Sequence, residues 1–331
     1  MSYPALDVLA IGNAIVDVIA VADDRFLESE GLTKGSMRLI DAAEASGLYD
    51  RMAQGRETSG GSSANTVAGV AALGLKAGFI GRVAPDQLGE VFRHDIRSLG
   101  VHFDTAAGPV EPSTARCLIL VTSDAQRTMN TFLGASQHLS ADDIDAGLIR
   151  SAKILYLEGY LWDPEAPRAA MRQAIETARA AGNQVAFTLS DGFCVDRHRA
   201  DFRELIESGK IDILFANEHE ACSLTQTGDF ETAAAWLEGK AEIVVITRSE
   251  KGAVVLAGGE RIAVPAAPVD GIVDTTGAGD LFAAGFLSGL GHGRPLADCA
   301  RMGAIAAAEV ISHYGARPEA DLKALVRAGL D

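Results

Sequence analysis

The sequence predicts a doubly wound α/β fold, with a mostly parallel sheet and a small β-rich lid. Short apolar runs rich in β-branched residues recur roughly thirty residues apart from Ile154 onward, and segments of helical composition separate them. Strand, helix and strand at this spacing are typical of parallel βαβ units. The runs are continuously apolar and do not alternate with polar residues, which indicates a sheet covered by helices on both faces.

The apolar runs give the predicted strands, in order along the chain. They cover residues 8–11, 117–121, 154–157, 185–187, 211–215 and 243–246. Helical composition extends over residues 165–181 and 230–239. An apolar run of small residues predicts a further, buried helix that begins near Asp280.

Two stretches, residues 16–59 and 101–128, lack the βαβ rhythm. In the second, the apolar run leads into the turn-like Thr122-Ser123-Asp124, which predicts one strand turning into another. We therefore expect these stretches to form a discontinuous β-rich lid. The main α/β domain is then predicted to consist of residues 1–15, 60–100 and 129–331.

Polar residues follow the predicted strands where these end. Asn13, Glu158, Asn217 and Thr247 each come shortly after an apolar run. Because ligands bind at the carboxyl ends of the strands in open parallel sheets, we expect a binding site along this edge. Strands that merely leave a sheet through polar loops would give the same pattern, so the pattern alone does not establish a site.

Charge and cysteine content exclude several classes of protein. Lys and Arg total 29 against 45 Asp and Glu, a formal net charge of -16, which disfavours binding to nucleic acid or to an anionic membrane. The four cysteines are scattered without a Cys-x-x-Cys pair, which argues against a zinc site and a disulfide framework. No signal peptide or membrane-crossing run is evident, so we expect a soluble cytoplasmic protein with reduced thiols.

The segment 274–286, Asp-Thr-Thr-Gly-Ala-Gly-Asp-Leu-Phe-Ala-Ala-Gly-Phe, carries the strongest chemical signal. Gly277 and Gly279 allow the backbone to turn and to approach a ligand closely. The N–H groups at the predicted helix start could receive a phosphate or growing negative charge. Asp280 could accept the proton of an attacking hydroxyl, so the segment suits phosphoryl transfer to an alcohol. The alternative is an ordinary Asp at a helix start.

Three motifs together resemble those of the ribokinase (PfkB) family of carbohydrate kinases. They are Asp-Thr-Thr-Gly-Ala-Gly-Asp at 274–280, Gly-Gly-Ser-Ser-Ala-Asn at 60–65 and Asn-Glu-His-Glu at 217–220. The segment 81–89 also resembles the family, so the resemblance covers nearly the whole chain. Family members usually carry Gly, Ala or Pro where Ser63 stands. The resemblance implies a ribokinase-like fold and an ATP-dependent kinase.

The resemblance implies catalytic roles for residues near the 274–280 motif and for one arginine. Asp280 matches the catalytic base. Gly277, Ala278 and Gly279 match the anion hole around the transferring phosphoryl group, and the two glycines would also contact the nucleotide. Arg127, in a loop behind the lid, would point toward the transferred phosphate.

The resemblance also implies metal sites. Asn217 and Glu220 match a pair that organises Mg²⁺ and phosphates, with Glu220 acting on the metal indirectly. The same two residues could equally be an N-cap and its capping-box partner. Asp274, Thr276 and Gly315 match a monovalent-cation site, expected to hold K⁺, because carboxylate and carbonyl oxygens suit hard cations.

A loop after the last predicted strand resembles the family's nucleotide loop, Thr-x-Gly-x-x-Gly. Thr247, Arg248 and Gly252 match its contacts, whereas Ser249 stands where a glycine is common. The implied ligands are ATP with Mg²⁺ and one small-molecule acceptor, with no nucleic-acid or membrane partner, in a monomer or a homodimer.

Within the family the chain looks most like the adenosine kinase branch. The opening Gly12-Asn13-Ala14-Ile15-Val16-Asp17 resembles that branch, and residues 114–129 resemble its lid. A carboxylate at Asp17 would accept hydrogen bonds from two neighbouring hydroxyls and so select a diol. The implied substrate-binding residues are Asn13, Asp17, Gly60, Gly61, Asn65, Met129, Leu133 and Glu158.

The expected reaction is transfer of the γ-phosphate of ATP to a primary hydroxyl of a nucleoside, with adenosine giving AMP. Mainly apolar or aromatic side chains are expected to wall the base pocket, with core packing as their alternative role. They are Met129, Phe132, Leu133, Tyr160, Leu161 and Trp162. The alternative acceptors are a free sugar of the ribose, fructose or ketodeoxygluconate type, or inosine or guanosine.

Two other functional classes fit the sequence less well. A non-catalytic sensor is disfavoured because Asp280, the anion-hole glycines, Asn217 and Glu220 are present together. A dinucleotide oxidoreductase would need Gly-x-Gly-x-x-Gly after the first strand, and the sequence there, Gly-Asn-Ala-Ile-Val from Gly12, does not fit.

Overall fold

The computed structural model describes residues 3–124 and 126–330 of the 331-residue chain. Residues 1, 2 and 331 of the predicted main domain, and residue 125 of the predicted lid, lie outside the described residues. Within the described ranges the chain forms thirteen strands. In chain order these are β1 (Leu6–Ile11), β2 (Ile15–Val21), β3 (Met37–Leu39), β4 (Arg56–Gly60), β5 (Ala77–Ile80), β6 (Ala115–Val121), β7 (Arg127–Phe132), β8 (Ala152–Glu158), β9 (Gln184–Thr188), β10 (Ile213–Asn217), β11 (Ile243–Thr247), β12 (Ala253–Ala257) and β13 (Glu260–Val264).

Twelve α-helices are formed in the same ranges, none of them long and apolar enough to cross a membrane. They are α1 (Asp24–Ser29), α2 (Ala42–Arg51), α3 (Ser62–Ala72), α4 (Gln87–Ser98), α5 (Ala146–Arg150), α6 (Glu165–Ala180), α7 (Gly192–Glu207), α8 (Glu218–Thr225), α9 (Phe230–Leu237), α10 (Ala278–Gly291), α11 (Leu296–Val310) and α12 (Leu322–Leu330). Short 3₁₀ helices lie at Gly134–His138, Ala141–Asp143, Gly159–Trp162 and Ser249–Lys251.

Eight strands form the main sheet, in the order β13-β12-β11-β10-β9-β8-β1-β5. The strands from β11 to β5 run parallel, and β12 and β13 add an antiparallel hairpin at one edge. The predicted doubly wound, mostly parallel sheet is therefore confirmed. From β1 the chain crosses to β5 on one side, whereas β8 to β11 extend on the other, so the strand order reverses between β1 and β8. Ligands of open α/β sheets bind at such a switch point.

The main sheet separates two hydrophobic clusters. Alternate residues of β1 belong to opposite clusters, with Val8 and Ala10 in one and Leu9 and Ile11 in the other. Residues of α3, α10 and α11 cover the first face, and residues of α6 to α9 cover the second. Since both faces are buried, the central strands are apolar at nearly every position, which explains the continuous apolar runs.

A second sheet of five strands, in the order β3-β7-β6-β2-β4, lies in the region expected to form the lid. Its limits differ from the predicted ones at two places. Residues 129–132, predicted in the main domain, continue β7 in this sheet. Conversely, His102 pairs with Gly78 of β5 and Phe103 packs in the main core. The start of the 101–128 stretch therefore belongs with the main sheet.

Candidate active site

The first turns of α3 and α10 meet at Asp280. Its carboxylate Oδ1 accepts a hydrogen bond of 2.6 Å from Ser62 Oγ, and Oδ2 accepts one of 2.9 Å from Asn65 Nδ2. Burial raises the pKa of Asp280, whereas these two hydrogen bonds and the charge of Arg317 lower it. The donors favour the ionised carboxylate, which is the form that can accept a proton. The geometry thus suits the predicted role as a base.

The predicted anion hole lies at the N-terminus of α10. Gly277 is the N-cap with φ of 78°, and a Cβ there would stand 2.7 Å from Ala316 Cβ, so both backbone and space require glycine. At Gly279 a Cβ would meet nothing within 4 Å. The first N–H groups of a helix have no intrahelical acceptor and carry partial positive charge, so this open turn can receive an anion.

Asp17 lies in the middle of β2, and the end of β4 faces it. A Cβ at Gly60 would stand 2.3 Å from Asp17 Oδ2, so only glycine lets the carboxylate lie here. No donor to this carboxylate occurs among the described residues. Burial raises its pKa to about 6, opposed by the charges of Arg317 and Arg127. An ionised acceptor without an internal partner can bind substrate hydroxyls.

Asn65, the other predicted sugar-binding group, lies on the first turns of α3 behind Gly61. Its Nδ2 donates a hydrogen bond to Asp280, while its buried Oδ1 has no hydrogen-bond partner in the part of the chain that the structure describes. Gly61 adopts a φ of 100°, and a Cβ there would stand 2.1 Å from Asn13 O. The glycine pair therefore lets β4 enter α3 at a tight corner beside both carboxylates.

Glu158 and Asn13, both predicted to bind substrate, form hydrogen bonds with each other in the interior, and their contact with substrate stays a prediction. The Glu158 side chain is 0% exposed, and its Oε1 accepts hydrogen bonds of 2.8 Å from both Asn13 N and Asn13 Nδ2. Its Oε2 accepts one from Ser63 N, and Asn13 Oδ1 accepts one from Ser136 Oγ. The pair is a buried network at the switch point that holds the ends of β1, β8 and the start of α3.

Asp274, predicted to hold a monovalent cation, is instead paired with Arg127. The guanidinium lies 2.5 Å from Asp274 Oδ1, and the carboxylate is fully buried. Asp274 also accepts hydrogen bonds from the backbone N–H groups of Thr276 and Gly315, at 2.7 Å and 2.9 Å. The predicted trio is thus brought together, but the donor set does not fit K⁺ alongside Arg127. The predicted contact of Arg127 with the transferred phosphate stays a prediction.

Asn217 and Glu220 form a capping box at the start of α8. Asn217 Oδ1 accepts from Glu220 N at 2.8 Å, and the Glu220 carboxylate accepts from Asn217 N and Nδ2. Burial raises the pKa of Glu220 to about 7. Among the described residues no cluster of three or more His, Cys, Asp or Glu could hold a metal. The predicted indirect contact of Glu220 with Mg²⁺ stays a prediction.

The predicted nucleotide loop borders a cavity of about 870 Å³, which Asn217, Thr247 and Arg248 also line. Arg248 is ion-paired with Glu218 at 2.9 Å and stacks on the Phe230 ring. Ser249, where a glycine is common, adopts a φ of 51° in the left-handed region.

Gly252 closes the nucleotide loop. Its φ is 83°, and a Cβ there would stand 2.0 Å from Val264 O, so this position requires glycine and contacts β13. Gly252 shapes the loop from behind and does not line the cavity.

The predicted apolar wall is wrong for three of its members. Phe132 packs in the first hydrophobic cluster, because it points to the opposite side of β7 from Met129. Leu161 and Trp162 lie in a 3₁₀ helix and both pack in the second cluster, so all three take the alternative role of core packing. Tyr160 is 37% exposed, with its hydroxyl donating to Ser190 O. Leu133 is partly buried just after β7.

Met129 lies on the face of the second sheet that carries Asp17. Cross-strand register pairs Asp17 with Cys117, Ile19 with Ile119, and Ile119 with Met129, which places these side chains on one face. Ile19 also approaches Gly315, since a Cβ there would stand 3.8 Å from Ile19 Cδ1. The mainly apolar surface beside Asp17 is therefore this face, where Ile19, Ile119 and Met129 lie with Cys117 and Thr131.

Sequence reasoning missed three residues that build the site. Ser62 donates to Asp280, and its place directly after the Gly60–Gly61 pair was the available signal. Arg317 donates to the backbone of Ser59 and Ala64, and Asp95 accepts from Ser59 N and Oγ. Neither Arg317 nor Asp95 belongs to a recognisable motif.

Comparison with known proteins identifies one family, and the similar proteins have names that give different substrates. A sequence profile described as pfkB family carbohydrate kinase matches residues 6–322. The crystal structure of a probable sugar kinase from Rhizobium etli CFN 42 has 49% identity and a TM-score of 0.91, covering 100% of both chains. The crystal structure of an adenosine kinase from Sinorhizobium meliloti has 50% identity and a TM-score of 0.90, covering 98% of this chain and 99% of that one.

Among curated proteins, a 5-dehydro-2-deoxygluconokinase from Shouchella clausii (strain KSM-K16) is 29% identical, covering 97% of this chain and 95% of its own. The similar proteins thus include a probable sugar kinase, an adenosine kinase and a 5-dehydro-2-deoxygluconokinase.

Proposed function

The chain belongs to the PfkB family of carbohydrate kinases and is therefore an ATP-dependent phosphotransferase; we propose that its acceptor is a purine nucleoside, with adenosine converted to AMP. The finer proposal is carried by one observation, the apolar face of the second sheet that surrounds Asp17. The adenosine kinase that is 50% identical supports it.

The apolar face favours an acceptor with a base over a free sugar. Asp17 accepts hydrogen bonds from a diol, which ribose and ribonucleosides both offer, so it does not discriminate between them. Ile19, Ile119 and Met129 lie on the same face and offer no polar group to further hydroxyls, and the hydroxyl of Thr131 on this face already donates to Cys117 Sγ. A purine that covers about 40 Å² of this surface would gain about 1 kcal/mol over an acceptor that leaves it wet.

In the proposed reaction the chain positions the acceptor and moves its proton. Asp17 and the Oδ1 of Asn65 hold the sugar hydroxyls, and Asp280 takes the proton of the attacking primary hydroxyl. The open N–H groups at Gly279 and its neighbours receive the charge that grows on the transferring phosphoryl group. Mg²⁺, which the family typically uses, would neutralise phosphate charge on the nucleotide.

The second candidate is a kinase of a free sugar or sugar acid. It is favoured by the 5-dehydro-2-deoxygluconokinase that matches 97% of this chain. Inosine or guanosine would use the same apolar face as adenosine. We further propose that the enzyme works in the cytoplasm, where ATP is available and its four free cysteines stay reduced; whether it acts as a monomer or a homodimer stays a prediction.

A competition assay decides between these acceptors. Adenosine, inosine, ribose, fructose and 5-dehydro-2-deoxygluconate are compared by kcat/KM with saturating ATP, and adenosine is expected to lead. Met129→Thr should lower kcat/KM for adenosine about tenfold by removing apolar contact, while Met52→Thr, at the end of α2, serves as a control. A free sugar that wins the comparison would refute the nucleoside proposal and leave the kinase assignment standing.

A further inference from the structure

Arg317 lies in the loop after α11, close to Gly315 and Ala316. Its Nη1 donates to Ala64 O at 2.6 Å, and its Nε and Nη2 donate to Ser59 O at 3.0 Å and 2.9 Å. Nη2 also lies 3.0 Å from Ser59 Oγ. One guanidinium thus joins the end of β4 to the first turn of α3, across the tight corner that Gly60 and Gly61 form between them.

The segments that Arg317 joins contact the two carboxylates of the site, Asp17 and Asp280. Ser59 precedes Gly60, whose Cα hydrogens lie against the Asp17 carboxylate. Ala64 stands between Ser62 and Asn65, the two donors to Asp280. A shift of the corner between β4 and α3 would therefore move the hydroxyl-binding group and the base relative to each other.

The same guanidinium lies within the field of these carboxylates. Its charge opposes the effect of burial on the pKa of Asp17 and of Asp280. Burial lowers the pKa of Arg317 itself to about 10, so it stays protonated at neutral pH. The charged groups that face this cluster are Asp95, Asp17 and Asp280 around Arg317, and Arg127, Asp274 and Asp280 around Asp17.

We propose that Arg317 is a positioning residue for phosphoryl transfer: it fixes the corner between β4 and α3 and supplies the positive charge that Asp17 and Asp280 share. The proposal rests on the kinase roles given above to these two carboxylates, but not on the identity of the acceptor. It uses a guanidinium specifically, because a planar fork reaches Ser59 O and Ala64 O at once, whereas an ammonium group is a point donor.

Two substitutions distinguish the two proposed roles of Arg317, which are fixing the corner between β4 and α3 and supplying positive charge. Arg317→Lys keeps the charge and loses the fork, so the KM for the acceptor should rise about tenfold while the pH profile stays near that of the wild type. Arg317→Gln also loses the charge, so the acid limb of kcat/KM for the acceptor should move up by about one pH unit. The KM for ATP should change in neither, since Arg317 contacts no residue of the nucleotide loop.

Arg97→Gln is the matched control. Arg97 also donates to a backbone carbonyl, that of Phe103, and to an acidic partner, Asp104, but touches no residue of the site. It should lose stability with an unchanged pH profile. Kinetics are measured from pH 5 to pH 9 with whichever acceptor the competition assay identifies, so failure of the nucleoside proposal leaves this test intact.

Wild-type pH dependence in a folded Arg317→Gln variant would overturn the role in charge, and an unchanged acceptor KM in Arg317→Lys would overturn the role in position. If Arg317→Gln does not fold, Arg317→Lys tests both roles: its acceptor KM tests position as above, and a shifted pH profile in this variant, which keeps the charge, would overturn the role in charge. A raised acceptor KM with a native KM for ATP supports the proposal, and equal changes in both constants contradict it.

Discussion

Asp17 and Asp280 are both partly buried carboxylates, but they differ in the hydrogen-bond donors around them. Asp280 has two donors that stabilise its ionised form, Ser62 Oγ and Asn65 Nδ2. Asp17 has none among the described residues, and its pKa of about 6 reflects burial that is only partly offset by Arg317 and Arg127. A group left uncompensated in the free protein is available to a ligand, at a cost in stability.

Asp17→Asn should therefore stabilise the protein and abolish tight acceptor binding. The folded-state pKa of Asp17 lies above its ordinary value of 3.8, so its charge destabilises the fold increasingly as the pH rises from about 4 to about 6 and fully above that range. At pH 7 the variant should gain about 1–2 kcal/mol, allowing for partial exposure of the side chain. Below pH 4 the gain should vanish.

Urea unfolding at pH 4 and pH 7 measures the stability difference, and acceptor KM is measured on the same samples. A variant that is less stable than wild type at pH 7 would show that the Asp17 carboxylate is satisfied in the folded protein.

The two glycines of the anion hole should respond differently to alanine. Gly277→Ala places a Cβ 2.7 Å from Ala316 Cβ at a φ of 78°, so it should destabilise the fold by about 1–3 kcal/mol. Gly279→Ala meets nothing within 4 Å and should fold with native stability. It should still lower kcat about a hundredfold or more by occupying the space of the phosphoryl group. Native turnover in Gly279→Ala would place the anion elsewhere.

Side chains whose partners are backbone groups were the hardest to predict from the sequence. Glu158 was expected to bind substrate because it directly follows a predicted strand, but N–H groups of Asn13 and Ser63 satisfy its carboxylate in the interior. Arg317 binds two carbonyl oxygens, which every residue offers, so no residue pattern marks its partners. The roles of Asp280 and its neighbouring glycines could be proposed from the sequence, because a carboxylate base and a tight turn each require particular residue types, Asp and Gly.

At the scale of elements, the start of α8 combines a helix cap with a place in the wall of the nucleotide cavity. Asn217 caps the helix through Glu220 N, and it also lines the cavity beside Thr247. Capping needs a short side chain with an acceptor, which serine also supplies. Nucleotide contact would need the longer amide.

Substitution at Asn217 separates the two roles. Asn217→Ala should cost about 1 kcal/mol of stability by removing the cap, whereas Asn217→Ser should remain within about 0.5 kcal/mol of the wild type. Both should raise the KM for ATP by the same factor, because both remove the amide. Chemical denaturation and ATP kinetics on the pair provide the comparison; a normal KM for ATP in Asn217→Ser would make the residue a cap alone.

The strands of the main sheet were predictable and β7 was not, for a physical reason. The central strands are buried on both faces, so their apolar runs stand out against the helices between them. In β7, buried Thr128 and Asn130 alternate with half-exposed Met129 and Thr131, and such a mixed pattern resembles a loop. The limit of the second sheet was therefore placed four residues too early.

At the scale of the whole molecule, the second sheet contacts the main body both at the site and through α4, which packs against β2 and β4. The Arg127–Asp274 ion pair and the contact of Ile19 with Gly315 both cross between them. Most of the strong packing of this sheet lies on its other face, with Val16 and Val18 in the core. We therefore expect the sheet to act as a lid whose position depends on what occupies the site.

Binding of the acceptor, and not of ATP alone, should close this lid, because the acceptor contacts Asp17 and would be shielded from water during transfer. Hydrogen exchange in β2, β6 and β7 should slow in the presence of acceptor and stay unchanged with ATP alone. Exchange in β9, at the centre of the main sheet, serves as the internal reference. Equal protection by both ligands, or by neither, would contradict an acceptor-driven lid.

The site is formed by segments that are far apart in the sequence and are therefore synthesised at different times. Ser62 and Asp280 are 218 positions apart, and Ser59 and Arg317 are 258 positions apart. A nascent chain that has emerged as far as α9 carries Asp17 and Asn65 without the base. It also exposes the face of α3 that α10 later covers, where Gly69 lies against Leu281 and Ala284. Contacts of such long sequence separation form slowly, so this helix face is expected to remain exposed until α10 has been synthesised.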